Sequence, residues 1–122
     1  MKIAEIRKQI FVGRHHIDEN DIQAVVDCLR SGSLTQGPKI LEFEKAIASY
    51  VGSRYAVAVS SGTAALHLAS LIAGAGPDFA IVTSPVTFVA SSNAAFYVGA
   101  RPVFSDVDFD TVNLSPEVLA ET

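Results

Sequence analysis

Val57-Ala58-Val59-Ser60-Ser61-Gly62-Thr63-Ala64-Ala65-Leu66-His67-Leu68 is the stretch on which the reading of this chain depends. Tyr55–Val59 is a short apolar run and reads as a buried strand. From Thr63 to about Ala73 the chain is rich in alanine and leucine, which favours a helix. Leu66, Leu68, Leu71 and Ile72 spread around that helix, so it is expected to be buried on most sides. Between the two lie Ser60, Ser61, Gly62 and Thr63, small residues suited to a helix cap and to close approach of a ligand. A strand passing straight into a helix this way leaves backbone N–H groups free at a helix N-terminus, a natural seat for phosphate. The plainer alternative is an ordinary capped turn. The stretch has neither the Gly-Lys-Ser/Thr ending of a P-loop nor the Gly-x-Gly-x-x-Gly dinucleotide turn.

Outward from this stretch the same alternation continues. Phe79–Thr83 reads as a second strand, Thr87–Phe96 as a helix with small residues on one side, and Pro102–Phe104 as a third strand. Strand–helix–strand order implies parallel strands with crossover connections, and ligands in such sheets bind at the strands' carboxyl ends. The Ser60–Thr63 and Ser84–Phe88 turns both fall at such ends. The expected fold is α/β, a three-layer α/β/α arrangement with mainly parallel strands.

Towards the N-terminus, Ile10–Val12 reads as a short strand or extended arm within an arm over residues 1–16. Asp18 is an N-cap, Ile22, Val25, Val26 and Leu29 form an apolar stripe, and Gly32 closes that helix. Cys28 sits beside the stripe as a small core or boundary residue. A loop follows at Ser33–Gly37. Pro38 opens the next helix, whose face is Ile40, Phe43, Ile47, Tyr50 and Val51, and Gly52 stops it. At the other end Ser115, Pro116 and Glu117 begin a last helix that has run barely one turn by Thr122, as in a fragment of a longer domain.

With 122 residues, 49% of them hydrophobic and 18% charged, the chain has enough apolar material for a folded domain. Its net charge of −4 gives no electrostatic basis for binding nucleic acid or an anionic membrane. One cysteine excludes an internal disulfide. No apolar run reaches membrane-spanning length and no secretory signal core is present, which makes the cytoplasm the expected compartment.

Five marks in order resemble the DegT/DnrJ/EryC1/StrS family of sugar aminotransferases. They are Leu34-Thr35-Gln36-Gly37, Phe43-Glu44, Ser60 to Leu66, Ser84 to Ala94, and Gly99 to Asp108. The Ser84–Ser91 wording is most similar to the branch that makes the 4-amino sugar precursor of pseudaminic acid, with perosamine-type synthases close rivals. The resemblance implies a pyridoxal 5'-phosphate (PLP) enzyme of the aspartate-aminotransferase fold (fold type I). Residues 17–122 would then be an incomplete N-terminal part of its large domain. It also implies amino transfer from glutamate to a keto-sugar nucleotide, for cell-surface polysaccharide or glycan precursors, in a homo-oligomer such as a dimer. Carried over residue by residue, Ser61, Gly62 and Thr63 would hold the cofactor phosphate. Phe88 would stack on the pyridine ring and Thr35 would line the sugar-nucleotide pocket.

One departure is decisive for chemistry. The family's enzymes need a lysine that bonds to the cofactor, in the second half of the large domain. This chain has only Lys2, Lys8, Lys39 and Lys45, all before the phosphate turn. Asp106 and Asp108 come too early to match the acidic partner of the pyridinium nitrogen. No catalytic residue is therefore assigned. The alternatives are a truncated, non-catalytic α/β module that binds or self-associates, and a dehydratase of the same family. Uncovered strands and apolar faces predict self-association.

Other constellations are weaker. His15-His16 lack partners at ligand spacing, so no metal site is assigned. His67 reads as a structural histidine. Asp106, Asp108 and Asp110 lack the glycine and glutamate of a calcium loop and read as a turn with solvated carboxylates. Ser61 has no histidine–aspartate pair, so a hydrolase is unsupported.

Overall fold

A computed structural model describes residues 13–122, which divide into two compact units between Ala58 and Val59. The expected strand or arm at Ile10–Val12 lies outside the described residues. Elements run α1 (Glu19–Arg30), α2 (Pro38–Val51), α3 (Gly62–Ile72), β1 (Ala80–Thr83), α4 (Ala90–Tyr97), β2 (Arg101–Phe104) and α5 (Pro116–Glu121).

The first unit carries α1 and α2. Asp18 caps α1 as expected: its carboxylate accepts from the Asn20 and Asp21 N–H groups at 2.8 and 3.1 Å. Asp21 returns the bond, accepting from the Asp18 N–H at 3.0 Å, which completes a capping box. Between the helices, Gly37 passes so close to the Ser33 carbonyl oxygen that a Cβ there would collide with it. Proline opens α2 and Gly52 ends it. Neither helix has a buried residue, so the stripe on α1 and the face on α2 form without being covered.

Tyr55–Val59, expected as the first strand, has no ladder partner among the described residues. Its composition suits a strand, but a strand exists only where a second one satisfies its amides. Here a side chain does so at one point. The Glu44 carboxylate, on α2, accepts from the Ala58 N–H at 2.8 Å.

The second unit contains the sheet and the core. β1 and β2 pair in parallel, Ala80 opposite Arg101 through Thr83 opposite Phe104. The parallel pairing agrees with the strand–helix–strand reading, although the sheet has two strands rather than three among the described residues. α4 packs on both strands and on α3. Its small residues make this possible: Ala90, Ser92, Ala94 and Ala95 are buried, with Ala100 just beyond. Gly99, at φ 76°, turns the chain out of α4, so that the Ala100 N–H reaches the Ala95 carbonyl at 2.9 Å.

Two expectations need correcting in this unit. α4 begins at Ala90 rather than Thr87. The Ser91 N–H bonds the Phe88 carbonyl in a tighter turn at 3.0 Å, and only at Asn93 does the α-helical spacing begin, onto Val89. And α3 is not buried on most sides: no residue of it is buried, and Ile72 is 87% exposed. One side of α3 meets α4 and the other sides face outward.

Candidate functional site

The turn that opens α3 and the start of α4 meet in one cavity. It is about 550 Å³, within the roughly 300–1,000 Å³ span of small-molecule sites. Gly62, Thr63, Ala65 and Leu66 line it from α3; Phe88, Ala90 and Ser91 line it from the segment that follows β1. That segment leaves the carboxyl end of β1, where parallel sheets bind their ligands.

α3 starts one residue earlier than its composition predicts, at Gly62, with Ser61 as N-cap. The Ser61 hydroxyl accepts from the Ala64 N–H at 3.2 Å, and the Ser61 carbonyl accepts from the Ala65 N–H at 3.1 Å. The next amides back, those of Gly62 and Thr63, have no acceptor among the described residues. A Cβ built on Gly62 meets nothing within 4 Å, so the space beside its Cα is open. Two unsatisfied amides at the positive end of an 11-residue helix, on residues that line the cavity, are chemically suited to an anion. The apolar remainder of the cavity suits a flat ring. A phosphorylated aromatic cofactor therefore fits the residues present.

Of the residues singled out in the sequence, Gly62, Thr63 and Phe88 line this one cavity. Ser61 caps the helix beneath it and is not among its lining residues. Thr35 belongs to the other unit, exposed in the loop before Gly37. Ser91 was not singled out. Its signal is in the sequence, four residues after Thr87, the spacing at which two hydroxyls meet across one helical turn. The oxygens Thr87 Oγ1 and Ser91 Oγ are 3.3 Å apart.

The remaining polar groups serve the protein's own backbone and packing. His67 is half-buried and packs its ring on Tyr97, centroids 5.4 Å apart and tilted 56°. Asp108 accepts from the Thr111 N–H at 2.8 Å, a bond that holds its carboxyl below the ordinary value of 3.8. Asp106 accepts from the Val107 N–H. Cys28 is a half-buried free thiol. Among the described residues no group of three or more His, Cys, Asp or Glu side chains could hold a metal ion. No helix among them is long and apolar enough to cross a membrane.

Comparison with known proteins agrees with the geometry. The family model for the DegT/DnrJ/EryC1/StrS aminotransferases matches residues 15–122. The spore coat polysaccharide biosynthesis protein SpsC of Bacillus subtilis is 47% identical over 100 residues, covering 82% of this chain and 26% of that protein. The UDP-4-amino-4-deoxy-L-arabinose–oxoglutarate aminotransferase of Shewanella sediminis is 46% identical over 99 residues, covering 81% and 26%. Among solved structures, the aminotransferase from Psychrobacter cryohalolentis superposes with a TM-score of 0.81 at 34% identity, over 88% of this chain and 28% of that one. A Streptococcus pneumoniae protein, solved in PLP and PMP forms, superposes at 0.79 and 36%, over 87% and 27%. The chain thus spans about a quarter of the length of the relatives it matches. With its fold matched to theirs and the family pattern running from residue 15 to its end, the chain belongs to the DegT/DnrJ/EryC1/StrS aminotransferase family.

Proposed function

We propose that this chain is the N-terminal, cofactor-cradling part of a PLP-dependent nucleotide-sugar aminotransferase. The whole protein would move an amino group from glutamate to a keto-sugar nucleotide, for polysaccharide or glycan precursors, in the cytoplasm. One observation carries the reading: the Gly62 and Thr63 amides have no acceptor among the described residues, and both residues border the cavity that Phe88 walls. The names of the relatives, which concern spore coat polysaccharide and an amino-arabinose nucleotide, support the substrate class.

Pyridoxal phosphate, when bound, supplies the electron sink for amino transfer. The chain's own residues hold and orient it. The two amides and the Thr63 hydroxyl donate to the phosphate. Ser61 Oγ already accepts from Ala64, which leaves its proton free to donate as well. Phe88 stacks on the ring and Thr35 lines the pocket for the sugar nucleotide. The covalent bond to the cofactor is not made by these 122 residues, whose lysines are Lys2, Lys8, Lys39 and Lys45. Lys39 is engaged with Glu42 at 2.6 Å. The exposed apolar faces of α1, α2 and α3 support self-association, which sedimentation of the chain at several concentrations reads directly.

Gly62 offers a sharp test. It is the first helical residue, where proline is tolerated, and Ser61 already has the extended backbone that a following proline requires. Gly62→Pro therefore removes one amide and keeps the helix, while Gly62→Ala adds a Cβ and keeps the amide. In titrations with pyridoxal phosphate, Gly62→Pro is expected to bind about tenfold more weakly than Gly62→Ala, a charge-assisted hydrogen bond lost. Equal affinities for the two variants would remove the phosphate from this turn. Borohydride is expected to fix no cofactor at the cavity.

A further inference from the structure

We infer that Thr87 and Ser91 are positioning residues that set the aromatic wall of this cavity; this rests on the reading of Phe88 as the ring-stacking residue. Phe88 is 75% exposed, so packing does not hold its ring. Its backbone belongs to neither β1 nor α4. What holds the segment is a series of hydroxyl bonds. Ser84 Oγ accepts from the Val86 N–H at 2.9 Å, Thr87 and Ser91 bond each other at 3.3 Å, and Ser92 Oγ donates to the Val89 carbonyl at 3.0 Å. Among the described residues, only the Thr87–Ser91 bond links side chains on either side of Phe88. The Ser91 N–H also bonds the Phe88 carbonyl. Ser91 is therefore tied to Phe88 twice, once through its own amide and once through Thr87.

Ser91 is itself half-buried and lines the cavity with Phe88, whereas Gly62 and Thr63 line it from a different helix. The two halves of the site are thus held separately. The amides are fixed by α3 and the ring by the hydroxyl pair. Loss of the pair should loosen the ring and leave the anion seat intact. A bond of this kind closes a loop over one aromatic side chain at the small entropic cost of ordering two short hydroxyl residues.

The test separates the two halves with two probes on the whole chain. Pyridoxamine 5'-phosphate has ring and phosphate but no aldehyde, so it cannot react with the chain's lysines; inorganic phosphate has the anion alone. Binding is read from probe fluorescence anisotropy and from competition by phosphate. Ser91→Ala is expected to weaken pyridoxamine 5'-phosphate about fivefold and leave the phosphate competition constant unchanged. Ser91→Thr, which keeps the hydroxyl, should restore the unsubstituted value. Adding Ser91→Ala to Phe88→Ala should cost nothing more, since the hydroxyl acts through the ring. An equal loss for phosphate, failure of Ser91→Thr to restore binding, or an additive double variant would overturn the inference. No binding of the probe by the unsubstituted chain, or no effect of Phe88→Ala, would instead overturn the cofactor reading beneath it.

Discussion

The two units show the same quality of local structure and very different amounts of interior. In the first, α1 has a complete capping box and α2 a proline start and glycine stop, yet neither buries a residue. In the second, α4 has no side-chain cap bond and starts in an irregular turn, yet it holds most of the buried residues. Capping acts within one turn and forms a helix wherever its residues occur. Burial needs a second surface of matching shape, and the small-residue face of α4 has found one on the β1–β2 pair and α3.

Substitutions can break or sharpen this contrast. The largest effect is expected in the alanine core. Ala95 has 0% exposure, so Ala95→Leu overpacks it and should cost about 1–3 kcal/mol in urea unfolding. Leu29→Ala on α1, where Leu29 is 61% exposed, should stay within about 0.5 kcal/mol. Similar costs at both positions would mean that the α1 stripe is covered in solution. Next comes Glu44, whose carboxylate accepts from the Ala58 amide. Glu44→Ala should cost about 1.5 kcal/mol and speed hydrogen exchange at Ala58 first.

Asp18→Ala removes the α1 cap and should lower the helical dichroism of the chain. The same cap gives a pH dependence whose sign is fixed. The Asp21 and Asn20 N–H bonds lower the Asp18 carboxyl from its ordinary value of 3.8. A carboxyl lowered in the folded chain contributes stability above its unfolded value and loses it as pH falls through the folded one. Helicity of α1 should therefore fall on acidification below about pH 3.8, and Asp18→Asn, which still caps, should remove that dependence. The smallest effect is expected at the Lys39–Glu42 pair, each side chain 59% exposed. Lys39→Ala should leave the urea midpoint nearly unchanged, and more nearly so in salt.

Asp18, Pro38, Gly52 and Ser115 were legible as helix boundaries because each acts on backbone groups within a few residues of itself. The Phe79–Thr83 and Pro102–Phe104 strands were legible because their partners are each other. Tyr55–Val59 has equally good strand composition but no partner strand among the described residues, and composition alone carries no information on pairing. The start of α4 was misplaced because Thr87 looks like a helix residue. Its hydroxyl is instead engaged with Ser91, in a turn that the Phe88 carbonyl closes early. At the candidate site, small residues at a strand end pointed to Gly62 and Thr63, and family likeness pointed to Phe88. Ser91 carried a signal in its spacing from Thr87, but its place in the cavity wall is what marked it.

The sequence by itself determined where helices begin and end, which strands run parallel, and which amides a helix start leaves bare. These depend on hydrogen bonds between near neighbours and on the spacing of apolar residues. Only the tertiary structure decided which apolar faces are covered and which strand-like run goes unpaired. It also decided that Ser91 and Phe88 share a cavity with Gly62 and Thr63. Those outcomes depend on surfaces far apart in the chain, and no local signal encodes whether such a surface has a partner.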